Sequence, residues 1–153
     1  MAKREGFFQH DGARYRFAVW ESEAAEAAPV VLLHGFAQSA ASWDGIAELL
    51  GRTRSVVALD LVGHGGSDRP EGADAYALGA QGEMLLAYLA SPVGVAALAA
   101  PGRSNGGSAS AAQGSRKPLV VGYSMGGRVA LAAASSQPET FARFAGGLVL
   151  ESA

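Results

Sequence analysis

Residues 122–126 read Gly-Tyr-Ser-Met-Gly, a serine held between glycines after the apolar run Leu119–Val121 and before a helix-like run. This is the G-x-S-x-G pattern. It suits a strand-to-helix turn so sharp that small residues must flank the serine, whose hydroxyl then stands above the sheet edge. A serine hydroxyl is a poor nucleophile at neutral pH and needs a base to take its proton. Acyl chemistry also requires two backbone N–H groups aimed at the developing oxyanion. Met125, after the serine, is placed to supply one. Phe36, after His34-Gly35 at the end of an upstream apolar run, is placed to supply the other. Ser124 is thus the candidate catalytic residue, with Gly122 and Gly126 as its small supports.

The elements needed to position these groups are legible from patterning. Asp11-Gly12 separates two short segments, and in the second Tyr15, Phe17 and Val19 alternate with Arg14, Arg16 and Ala18, which predicts an antiparallel hairpin. Residues 29–35, 55–61 and 118–124 are continuous apolar runs of the kind that form strands covered on both faces. Helical spacing lies between them, at Trp43 to Leu50, at Tyr76 to Leu89 (where Gly79 and Gly82 weaken the pattern), and at residues 126–136. A last strand is expected in residues 146–153. This alternation predicts an α/β fold with a mostly parallel sheet flanked by helices and an N-terminal antiparallel hairpin. Residues 101–116 are rich in Gly, Ala and Ser and are expected to form a flexible insertion loop.

The chain has 153 residues, a size suited to one domain, and a formal net charge of -2. Neither a basic patch for nucleic acid nor an uninterrupted apolar span is present, so a cytoplasmic protein without nucleic-acid or membrane partners is expected. It has no cysteine, which excludes disulfides, thiolate metal sites and a cysteine nucleophile. His34 and His64 lie on different loops without a ligand cluster, and Gly63 to Ser67 lacks the Lys-Ser/Thr of a phosphate loop. No metal and no cofactor are expected.

Three landmarks in order, LLHGFAQSAASW (32–43), LDLVGHGGSD (59–68) and VGYSMGGR (121–128), resemble the α/β-hydrolase superfamily. The resemblance implies that His34 and Gly35 shape the oxyanion loop and that His64 supports the loop after the next strand. GYSMGGRVAL followed by GLVLESA is similar to the menaquinone-pathway 2-succinyl-6-hydroxy-2,4-cyclohexadiene-1-carboxylate synthases, which eliminate pyruvate from an anionic cyclohexene precursor. That narrower resemblance implies that Tyr123 and Arg128 face a small, carboxylate-bearing substrate, which a guanidinium can clamp in a bidentate fork. A generic esterase or carbon–carbon bond hydrolase shares the same motifs.

The superfamily order along the chain is serine, acid, histidine. Downstream of Ser124 stand Glu139 and Glu151 but no histidine; His10, His34 and His64 all lie upstream. Glu151 is read as structural. The expectation is therefore an incomplete α/β-hydrolase core, truncated after about the sixth strand, with a sheet edge available for pairing. A catalytically inactive remnant lacking the triad acid and histidine is the alternative.

Overall fold

The computed structural model describes residues 3–22, 27–99 and 116–152. The expected insertion loop at 101–116 falls, apart from Arg116, outside the described residues. Six strands form one mixed sheet in the order β1-β2-β4-β3-β5-β6, where β1 is Lys3–His10, β2 Ala13–Trp20, β3 Val30–Leu33, β4 Val56–Leu59, β5 Leu119–Tyr123 and β6 Gly147–Glu151. The hairpin β1–β2 turns at Asp11-Gly12, both with positive φ, and β2 runs antiparallel to β4. The pairs β4–β3, β3–β5 and β5–β6 are parallel.

The period of two in a strand sends alternate residues to opposite faces, and two apolar clusters result. Phe17, Val19, Val31, Leu33, Val57, Leu59 and Val120 pack on one face with residues of α2 (Leu78–Ala90) and α4 (Met125–Ser136). Trp20, Val30, Leu32, Val56 and Ala58 pack on the other with Ala40, Ala47 and Leu50, the last two from α1 (Asp44–Leu50). Both faces of β3 and β4 are therefore covered, and their runs are apolar throughout. Each fully buried Val or Leu contributes about 1.5–3 kcal/mol relative to exposure.

Two details differ from the sequence expectation. Residues Asp74–Tyr76 form a separate 3₁₀ turn and α2 begins only at Leu78, while Gly82 lies inside it. A Cβ at Gly82 would come within 2.9 Å of the Ala133 nitrogen, so the residue that weakens helix propensity is the one that lets α2 and α4 approach. Two further short helices, α3 (Pro92–Leu98) and α5 (Pro138–Phe144), begin at prolines, where the missing N–H is not needed. Ser91 caps α3 by accepting the Gly94 N–H at 2.9 Å. Among the described residues, no helix is long and apolar enough to cross a membrane.

Candidate functional site

Ser124 alone connects β5 to α4. Its backbone sits at φ 49, ψ -113, a region that costs a non-glycine residue about 1–3 kcal/mol. Three contacts hold it there. Its N–H donates to the Glu151 carbonyl at 2.8 Å, and its own carbonyl accepts the Arg128 N–H at 3.1 Å, closing the first turn of α4. The third is steric. A Cβ at Gly122 would lie 2.6 Å from the Gly126 carbonyl and the Gly127 backbone, and one at Gly126 would lie 2.4 Å from the Leu33 carbonyl. Strand, turn and helix are thus in backbone contact, and the flanking glycines have a steric cause.

The same packing joins the serine turn to the loop after β3. Gly126 also abuts the His34 carbonyl, and a Cβ at Gly35 would meet the Tyr123 ring at 2.8 Å. Phe36 follows with its ring 77% exposed. Among the described residues, neither the Phe36 nor the Met125 N–H has a hydrogen-bond partner; for Met125 this follows from its place at the start of α4. Tyr123 and Arg128 are exposed beside the turn, and Arg128 forms no ion pair among the described residues. Ser124 itself is half-buried.

The histidines are engaged elsewhere. His34 is buried; its Nε2 accepts the Leu61 N–H at 3.0 Å, which leaves the proton on Nδ1 to donate to the Gly35 carbonyl at 2.8 Å. Burial pushes its pKa down, so the imidazole is neutral. His64 accepts the Ala37 N–H at 3.3 Å through Nε2 and faces the Val62 carbonyl at 2.9 Å through Nδ1. The two rings lie 5.1 Å apart, tying the loops after β3 and β4 together. His10 ends β1 and stacks on Phe8. None of the three hydrogen-bonds to Ser124.

One supporting residue went unread in the sequence. Asp60, immediately after β4, is fully buried and accepts from Arg16 Nε at 2.6 Å, the Ala40 N–H at 2.6 Å and the Gly66 N–H at 2.8 Å. Burial raises its pKa, but the Arg16 hydrogen bond and the two N–H donors outweigh it and hold the carboxyl below its usual range. Asp60 thereby fixes β2, the turn after the β3 loop and the Gly-rich loop relative to one another. The available signal was an acid between a buried strand and a glycine-rich loop. Among the described residues, no cluster of three His, Cys, Asp or Glu could hold a metal ion.

Comparison with known proteins agrees with this fold. The sequence profile of the alpha/beta hydrolase fold matches residues 28–146. The chain belongs to the α/β-hydrolase family. A Bacillus subtilis (strain 168) protein carrying the provisional name 2-succinyl-6-hydroxy-2,4-cyclohexadiene-1-carboxylate synthase is 34% identical over 142 residues, 93% of this chain and 42% of the relative. Among solved structures, a membrane phospholipase A described as a bacterial virulence factor superposes with a TM-score of 0.69 at 28% identity, covering 97% of this chain and 39% of that one. The thioesterase domain of the curacin biosynthetic pathway gives 0.68 at 25% identity, covering 98% and 46%. This α/β-hydrolase chain therefore spans under half the length of each of these three proteins.

Within the α/β-hydrolase sheet, Ser124, Phe36, His64 and Asp60 all follow the C-terminal ends of parallel strands, where open α/β sheets place ligands. A cleft of about 490 Å³ opens there, lined by residues that include Phe36, Gln38, His64, Arg69 and Tyr76. A smaller one of about 170 Å³ lies at the β1–β2 turn, lined in part by His10, Asp11 and Glu83. The larger cleft reaches toward the serine turn at Phe36, which follows Gly35, the residue whose Cα packs on the Tyr123 ring.

Proposed function

We propose that Ser124 is the reacting hydroxyl of this α/β-hydrolase, with the N–H groups of Phe36 and Met125 as oxyanion donors. The observation that carries this reading is the one-residue turn at Ser124, held at φ 49 against the loop that presents Phe36. Strain of this kind persists only where the surroundings over-determine it, and here three backbone segments converge on it. His34, Gly35, His64, Gly122 and Gly126 support that geometry. Tyr123 and Arg128 face a small, carboxylate-bearing substrate, Arg128 offering a guanidinium one helical turn beyond the serine.

The reaction that fits best is elimination of pyruvate from 2-succinyl-5-enolpyruvyl-6-hydroxy-3-cyclohexene-1-carboxylate, in keeping with the name of the Bacillus relative. In this reading Ser124 takes part in proton abstraction and needs a histidine base. The engagement of both ring nitrogens of His34 and His64 favours a base from outside these 153 residues. The relatives' unmatched length is where the reading places it, since acid and histidine follow the serine in this superfamily. That same engagement favours the companion reading that this chain, assayed alone, turns over no substrate.

Labelling with a fluorophosphonate probe, on the chain carrying a relative's remaining segments after Glu151 so that a histidine base is supplied, tests the serine assignment, with Ser124→Ala as reference. Stable labelling that Ser124→Ala abolishes supports the assignment, and labelling unchanged by the substitution overturns it. Pyruvate release, measured with a relative's remaining segments fused after Glu151, distinguishes the elimination from plain ester hydrolysis.

A further inference from the structure

The cleft beside Phe36 has a lining that brings residues other than Tyr123 and Arg128 to substrate recognition. Its walls present two aromatic rings, Phe36, 77% exposed, and Tyr76, 38% exposed. Each has a neighbour that orients it. The Tyr76 ring rests on Gly63, where a Cβ would come within 2.7 Å of it, and its hydroxyl donates to the Pro70 carbonyl at 3.1 Å. Phe36 meets the His64 imidazole edge-on at 6.0 Å between centroids, while His64 anchors the neighbouring Ala37 N–H. Rings fixed before binding lose little entropy when a flat group lies against them.

The polar complement of the cleft is one-sided. Among the described residues, Arg69 is the only Lys or Arg that lines it; it is exposed and forms no ion pair there. The adjacent Asp68 is directed to Arg14, accepting its N–H at 2.9 Å and lying 3.7 Å from its guanidinium. Gln38 spends its amide oxygen on the Gly35 N–H at 2.9 Å, which leaves its NH₂ as a donor. Among the described residues, no Asp or Glu lines the cleft. A concave site with aromatic walls, a free guanidinium and no acid matches an anion carried on a flat apolar body.

We propose that this cleft binds a carboxylate borne on a cyclic or aromatic body, with the ring against Phe36 and Tyr76 and the carboxylate on Arg69. The inference rests on the proposed role of Ser124, toward whose turn the cleft reaches, and deepens it. It assigns a cation on the loop after β4, separate from Arg128 on α4, to substrate recognition.

The test is titration of the ¹⁵N-labelled chain with benzoate and with its neutral isostere benzamide, followed by amide chemical shifts. Saturable shifts at Phe36, Arg69 and Tyr76 are expected, with benzoate binding in the millimolar range and Arg69→Ala weakening it about tenfold. Benzamide binding should be unchanged by Arg69→Ala. Arg52→Ala, which removes the same charge from the exposed turn after α1, should leave benzoate affinity intact. Absence of shifts at Phe36 and Tyr76, or equal losses in the Arg69 and Arg52 variants, would overturn the proposal. Fluorophosphonate labelling reads Ser124 separately: labelling together with a benzoate affinity indifferent to Arg69 rejects the cleft assignment alone. Benzoate binding through Arg69 without labelling of the chain fused to a relative's remaining segments rejects the serine assignment and leaves the cleft.

Discussion

His34 Nε2 accepts the Leu61 N–H at 3.0 Å, joining the end of β3 to the end of β4 through a single buried imidazole. The bond exists only while Nε2 is unprotonated. Because burial sets the folded pKa below the ordinary 6.5, the unfolded chain binds more protons between those two values. Stability should therefore fall as pH drops through 6.5 and level off once pH is below the folded pKa. Urea melts between pH 8 and 5 check this. His34→Ala should cost about 1–3 kcal/mol at pH 8 and flatten the dependence above pH 5. A slope that survives the substitution would exclude His34 as its source.

Ser124→Gly should raise the melting temperature even as it abolishes fluorophosphonate labelling. Glycine adopts φ 49 without penalty, and relief of about 1 kcal/mol is expected. A destabilised glycine variant would mean that the serine side chain contributes more to stability than its backbone costs.

Two glycine substitutions should move in opposite directions. Gly126→Ala drives a Cβ to 2.4 Å from the Leu33 carbonyl, backbone that has no room to yield, and should cost about 1–3 kcal/mol. At Gly79, in the first turn of α2, nothing lies within 4 Å of the added carbon. Gly79→Ala should stabilise by about 0.5–1 kcal/mol through helix propensity alone. Denaturant midpoints at constant m-value decide both.

The Tyr88 ring packs against Phe8 and Phe17, its buried hydroxyl has no hydrogen-bond partner among the described residues, and burial raises its pKa. Tyr88→Phe removes the uncompensated polar atom and keeps the edge-to-face packing. Stability should rise by about 1 kcal/mol. A loss of that size in thermal unfolding would show that the hydroxyl is satisfied in solution.

Asp60→Asn addresses the loop framework. Arg16 and two N–H donors then face a neutral amide that presents one oxygen, and a loss of about 3 kcal/mol is expected. In the parent the depressed pKa sets the sign: this stability is fully present above the ordinary carboxyl pKa of 3.8 and is lost as pH falls through the lower folded value. The variant should lack that acid transition.

Local chemistry made much of this legible in the sequence. A run such as Val30–Leu33 is apolar at every position because both faces of its strand are covered, so the parallel centre of the sheet could be read directly. Asp11-Gly12 encodes its turn through the same positive φ that the folded hairpin uses. Gly122 and Gly126 marked the tight turn at Ser124, since only small residues tolerate such approach. The helices α3 and α5 were less visible, because seven residues hold too few turns for a periodic signal and their prolines look like breakers.

The sequence by itself determined the strand–helix rhythm, the serine between its glycines and the lack of a histidine among residues 125–153, since these depend on residue type and near neighbours. Only the tertiary structure decided what the upstream histidines do and what sits beside the serine. The roles of His34, Asp60 and Arg69 depend on partners 20 to 44 positions away or on the lack of one, and on which loops the sheet order brings together. A hydrogen bond between β3 and β4 leaves no trace in local pattern, because its energy belongs to a contact formed only when the sheet assembles.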